Sequence, residues 1–139
     1  MDLDECYRKR LIKKTKINNE LIRSLIKMSN IKESAVIAVN LDEVNISAYV
    51  SLAYDSLREL LEAVCISRGY KVLSHSCLGE LLRTLIDDFN FYEFDRMRYM
   101  RNGINYYGAA VEFSQGKEMI NKMFLMKKTL HDKYLKDNK

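Results

Sequence analysis

Proline is absent from the chain and glycine occurs only five times, so the residues that break helices and build tight turns are scarce. Leu, Ile, Met, Lys, Arg and Glu dominate instead, and that helix-forming composition argues for an all-α protein. No apolar run approaches the roughly 18 residues that a membrane-spanning helix needs. The N-terminal MDLDECYRKR sets acids before its bases with no apolar core behind them, which argues against a secretory signal. Cysteines number three, Cys6, Cys65 and Cys77, an odd count without a CxxC pair. This argues against both a disulfide framework and a structural zinc site, and it fits a reducing cytoplasm.

What is present bounds the rest. With 139 residues, 47% of them hydrophobic, the chain suits one domain around one core, and it contains no internal repeat or low-complexity segment. The net charge of +4 is too small to demand a nucleic-acid partner, but its distribution is uneven. YRKRLIKKTK, Tyr7 to Lys16, carries Arg8, Lys9, Arg10, Lys13, Lys14 and Lys16 without an acid. Such a run reads either as a solvated helix face or as an attraction for a phosphate backbone.

Apolar residues at Leu21, Leu25 and Met28, with Ile22 and Ile26 beside them, recur at helical spacing. They predict a helix from about Leu3 to Asn30, with a kink near Thr15 to Asn18, within an N-terminal basic helical segment spanning residues 1–40. Ile31 to Val39 either extends this helix or forms a short separate one. Asp42 can cap the next helix, in which Tyr49, Ala53, Leu57, Leu60, Leu61 and Val64 form a stripe ending before Gly69. Ser74 or Ser76 can start another, with Leu78, Leu81, Leu82, Leu85 and Phe89 on one face. A further helix covers roughly Phe91 to Tyr106, with Phe94, Met97 and Ile104 inward, until Gly108 breaks it. The last presents Met119, Ile120, Met123, Phe124, Leu130 and Tyr134 as its apolar side. Long helices with short connections predict an antiparallel bundle, a four-helix up-down core with an extra N-terminal helix.

The stretch RMRYMRNGINYYG, Arg96 to Gly108, is where chemistry concentrates. Helical spacing brings Arg101 near Asn105 and Asn102 near Tyr106. Arginine offers fixed donors suited to phosphate, and amide and phenol groups can serve the remaining oxygens. The alternative is structural: Arg101 pairs with an acid such as Asp95 or Glu59, Asn105 helps to end the helix, and the tyrosines pack as interface aromatics.

A basic first helix, then AYVSLAYDSLRELLEAVCISRGYKVLSHSCLGELL, then RNGINYYG before a final helix resembles the HEPN domains over roughly Val44 to Lys136. The resemblance makes residues 1–139 a single HEPN-like helical domain. Its signature is an Arg, commonly followed by a polar residue, and a His after four to six intervening residues; Arg101 and Asn102 match the first half. Tyr106, Tyr107 and Gly108 stand where the histidine belongs. HEPN RNases cleave without metal, the His helping a ribose 2′-hydroxyl attack the adjacent phosphate and the Arg stabilising the phosphorane. A free phenol, titrating near pH 10, is only about one part in a thousand ionised at pH 7, so tyrosine is a poor replacement base.

The resemblance therefore implies a module that binds RNA or a nucleotide phosphate and is catalytically weak or inactive. Arg101, Asn102 and Tyr106 are its candidate catalytic residues; Arg101, Asn105, Tyr107, Lys13 and Lys14 are its candidate phosphate contacts. It also implies a homodimer and a nucleotidyltransferase companion. The alternatives are a toxin-like metal-independent RNase using Arg101 and a non-catalytic dimerisation or adaptor module. His75, at a helix start, reads as a cap, and His131, in the lysine-rich last turns, as a partner of the helix C-terminus. Glu59 and Glu62 lie one turn apart without a histidine, so no metal is expected, nor any cofactor.

Overall fold

The computed structural model describes residues 1–137 and contains six helices and one two-stranded ribbon. In chain order these are α1 (Leu3–Arg8), β1 (Ile12–Lys14), α2 (Asn19–Ala38), α3 (Ile46–Ser67), β2 (Tyr70–Val72), α4 (His75–Leu85), α5 (Phe91–Tyr107) and α6 (Phe113–Tyr134). The fold is an all-α bundle built on α3, which touches α2, α4, α5 and α6. Its Ala53, Leu57, Leu60, Leu61 and Val64 are fully buried, as the stripe predicts.

The predicted first helix is wrong in its first half. After α1, Arg10 adopts φ 60, a left-handed conformation that ends helical propagation. Ile12, Lys13 and Lys14 then pair antiparallel with Val72, Lys71 and Tyr70. Only Ile12 of this strand turns inward, and a three-residue strand is too short to declare a period of two. The Asn18 side chain accepts from the Leu21 amide at 3.0 Å and starts α2, which runs unbroken through Ile31–Ala38. The buried face of α2 is Ile22, Ile26, Ser29 and Val36, while Leu21 and Met28 point outward. The inward stripe includes a serine because Ser29 and Ser56 bond reciprocally, each hydroxyl donating to the other's carbonyl at 2.6 and 2.7 Å. Small side chains there let α2 and α3 approach closely.

The cysteine count also misled. Cys6 on α1 and Cys77 on α4 form a disulfide across 71 residues of sequence, leaving Cys65 buried and free. An odd count leaves room for one bridge, and spacing along the chain says nothing of two helices meeting in space. The inference from cysteine usage to a reducing compartment therefore loses its basis. Among the described residues no helix is long and apolar enough to cross a membrane.

Other boundaries follow local chemistry. The N-cap of α3 is Asn45 and not the expected Asp42, whose carboxylate instead holds the preceding turn, accepting from the amides of Val44 and Asn45 at 2.8 Å. Ser74 occupies the N-cap of α4 without a side-chain cap bond, because its hydroxyl bonds that of Ser76 at 3.0 Å. Phe89 is buried but lies beyond the end of α4. Gly108 ends α5 with φ 65, as the sequence predicts. On α6, Ile120, Met123 and Leu130 are buried, and so is Lys127, whose ammonium donates to Asn30 at 2.9 Å and to Glu33 at 2.6 Å.

Candidate functional site

The C-terminal half of α5 packs against α3 and holds Arg101 largely buried, its side chain 12% exposed. Its Nη1 donates to the Tyr106 hydroxyl at 3.1 Å and lies 3.5 Å from Asn102 Oδ1. The structure thus joins Arg101, Asn102 and Tyr106. Asn105 goes elsewhere: its amide oxygen accepts from Ser51 on α3 at 2.8 Å, so helical spacing placed it beside Arg101 but its hydrogen bond ties α5 to α3. The acid facing Arg101 is Asp55, at 3.8 Å, and neither of the two expected acids. Asp95 is taken by Arg98 at 2.8 Å and Glu59 by Lys32 at 2.6 Å.

Asp55 belongs to a set of which the sequence singled out only Glu62. Asp55, Arg58 and Glu62 form a polar line at three- and four-residue spacing on the otherwise apolar α3, the one signal that could have revealed them. Arg58 pairs with Glu62 at 2.9 Å. Around Asp55, the Tyr54 hydroxyl, Asp55 Oδ1, Arg58 Nε and Arg101 Nε are all buried without a hydrogen-bond partner. Native interiors contain few such orphans, and here they gather beneath Arg101.

His75 enters this group from α4. Its ring lies 5.8 Å from that of Tyr54, and burial, aided by Arg58 and Arg101, pushes its imidazole down to about 4. At neutral pH it is uncharged and a weaker base than a free imidazole. Burial likewise pushes the Tyr54 phenol well up, against the opposing pull of Arg101 and Arg98, so it stays a donor. The capping role expected for His75 is absent, because the N-cap is Ser74. His131 lines a cleft with Arg23, Lys27 and Asn30, and no hydrogen bond, ion pair or ring contact links it to Arg101.

Outside Arg101, α5 is aromatic and open. Tyr92, Tyr99, Tyr106 and Tyr107 are 73%, 77%, 66% and 85% exposed. Arg98, Tyr99, Asn102, Gly103, Tyr106 and Tyr107 line an open cavity of about 240 Å³ on the surface of α5.

Lys13 and Lys14 lie on the ribbon instead of a helix. Lys13 stands directly opposite Lys71, and Arg10, Lys13, Lys14, Lys16 and Lys71 are all exposed, with no acidic partner among the described residues. Like charges placed face to face on an antiparallel pair destabilise it. Among the described residues no three or more His, Cys, Asp or Glu side chains converge on a possible metal position. Compared with protein-family models, curated proteins and solved structures, the chain matches none.

Proposed function

We propose that this is a HEPN-like module that binds the phosphates of RNA or of a nucleotide and cleaves RNA weakly or not at all. The observation that carries this reading is the ribbon on which Lys13 faces Lys71, with Arg10, Lys14 and Lys16 nearby in sequence and no acid offsetting them. Unpaired cations concentrated on one short ribbon suit a polyanion. The second contact is the end of α5, where Arg101, Asn102 and Tyr106 form one hydrogen-bonded unit and Tyr107 is exposed beside them. The motif histidine is replaced by Tyr106, and arginine, ionised at all ordinary pH, cannot take the 2′-hydroxyl proton in its place. The HEPN resemblance further implies a homodimer with the Arg101 to Tyr107 segment at or near its two-fold axis, and a nucleotidyltransferase companion.

One observation favours the RNase alternative. His75 brings an imidazole into the Arg101 group from another helix, although burial lowers its pKa and makes it a weaker base than a free histidine. A single assay separates the readings: single-stranded RNA is incubated with wild type, Arg101→Ala, His75→Ala and Tyr106→His, with chelator present throughout. Binding without cleavage by wild type, and cleavage gained in Tyr106→His, is the expected outcome. Robust wild-type cleavage lost in His75→Ala makes the protein an RNase. The absence of RNA binding in every variant leaves Arg101 as a structural tie to Asp55 and the chain as a dimerisation or adaptor module.

A further inference from the structure

Three glycines lie inside helices, and only one lacks a structural reason. A Cβ on Gly116 would come within 2.5 Å of the Ile46 side chain, and one on Gly79 within 3.2 Å of Phe94; both glycines let helices close against their neighbours. At Gly103 a Cβ would meet only the Ala109 methyl at 3.6 Å, an ordinary contact, and the backbone there has no positive φ. Glycine inside a helix is destabilising relative to alanine. At residue 103 nothing in the fold requires it.

What it does is leave space. Gly103 stands between two cavities, one of about 240 Å³ whose other walls are Arg98, Tyr99, Asn102, Tyr106 and Tyr107 and one of about 640 Å³ that it shares with Tyr99 and Ala109; the smaller carries both the tyrosines and the donors. That smaller volume lies below the range of about 300 to 1,000 Å³ usual for whole small-molecule ligands, and it suits a single planar ring system. Tyr99 and Tyr106 offer exposed aromatic surface, and a Tyr106 face already lies against the Arg101 guanidinium, 5.5 Å from its centroid. The polar groups are few and differ in character. Arg98 spends Nε and Nη2 on Asp95, leaving Nη1 to donate. Asn102 accepts from Arg101 through Oδ1, leaving its amide NH₂ to donate. Aromatic surface beside a few in-plane donors is the chemistry by which proteins hold an unstacked base of single-stranded RNA.

We propose that this cavity is a nucleobase site: one unpaired base enters over Gly103, stacks on the Tyr99 or Tyr106 ring, and presents its acceptor edge to Asn102 and Arg98. The site rests on the RNA-binding reading and adds to it a requirement for a base as well as a phosphate. A second copy of the chain is the competing occupant, because a glycine can also admit a neighbouring helix.

The experiment compares two fluorescent probes of equal length by anisotropy: a single-stranded oligouridylate, whose bases stack little on one another, and an abasic sugar–phosphate chain. Wild type should bind the oligouridylate about tenfold more tightly, the size of one base–aromatic stack. Gly103→Leu, which places a bulky side chain at the cavity's edge, and Tyr99→Ala, which removes a wall, should each reduce that ratio to about one while retaining affinity for the abasic chain. Gly103→Ala should melt at or above the wild-type temperature and show an intermediate ratio, separating loss of space from loss of fold. Equal wild-type binding of both probes removes the base site and leaves the phosphate reading standing. Binding of neither removes both. A ratio that survives Gly103→Leu, while sedimentation shows a dimer dissociating, overturns the site and assigns the glycine to a helix contact.

Discussion

Lys13 on β1 stands directly opposite Lys71 on β2. Like charges at that position oppose the pairing they sit on, by roughly 0.2 to 1 kcal/mol. Lys71→Glu should therefore raise the stability of the protein by up to about 1 kcal/mol while weakening its binding to RNA. Thermal melts and binding isotherms on the same preparation check both halves. Greater stability with unchanged RNA affinity would mean that the ribbon's charge serves no phosphate.

The Cys6–Cys77 bridge closes a loop across 71 residues. On the chain-entropy account, closing a loop of that length stabilises the fold by about 4 kcal/mol. Denaturant unfolding with and without reductant should show a loss of that order, and Cys77→Ser should show the same loss without reductant and lose nothing further when reductant is added. Cys65 itself is a poor exchange partner, since burial pushes its thiol up to about 12. Superimposable curves in both conditions would show that the bridge contributes nothing.

Lys127 is 4% exposed and held by Glu33 at 2.6 Å. Removing the carboxylate strands a buried ammonium, whereas replacing the ammonium with an apolar group of similar shape does not. Because Glu33 is itself about one-third exposed, Glu33→Ala should cost about 1 to 3 kcal/mol, and Lys127→Met less than about 1. Chemical denaturation decides it, and the reverse ranking would contradict the pairing.

His75 predicts a pH dependence with a definite sign. Its imidazole titrates near 6.5 when unfolded and near 4 in the fold, where burial, Arg58, Arg101 and Arg98 lower it and Asp55 raises it. Between these values the unfolded chain binds a proton that the folded chain does not. Stability should fall as pH drops from about 6.5 to about 4, with no further loss from this residue below that. His75→Gln should flatten this part of the profile; parallel profiles for the two proteins would rule out the buried, uncharged imidazole.

Much of the helical architecture was legible because periodicity and stop signals agreed: the α3 stripe ends before Gly69, and Gly108 closes α5 where the sequence places it. The ribbon was hidden by its brevity and by lysines that look alike on a helix and a strand. Cys6 and Cys77 gave no sign of meeting, since their proximity depends on how α1 lies against α4. At the candidate site the sequence grouped Arg101 with Asn102 and Tyr106, because short helical separations constrain them, but it could not supply Asp55 or His75 from other helices. Gly103 passed unnoticed, because only the space around it shows that the fold does not need it.

The ribbon's role in binding is tested most directly by measuring the affinity for single-stranded RNA across a series of salt concentrations. For a ribbon that neutralises phosphates, log affinity should fall linearly with log salt, with a slope of about −0.7 per phosphate neutralised. Replacing Lys13, Lys14 and Lys71 together by alanine should make that slope shallower by about 2, and Arg101→Ala should lower the affinity further at every salt concentration. A wild-type affinity that does not change with salt, or a slope untouched by the triple replacement, would contradict phosphate binding by the ribbon.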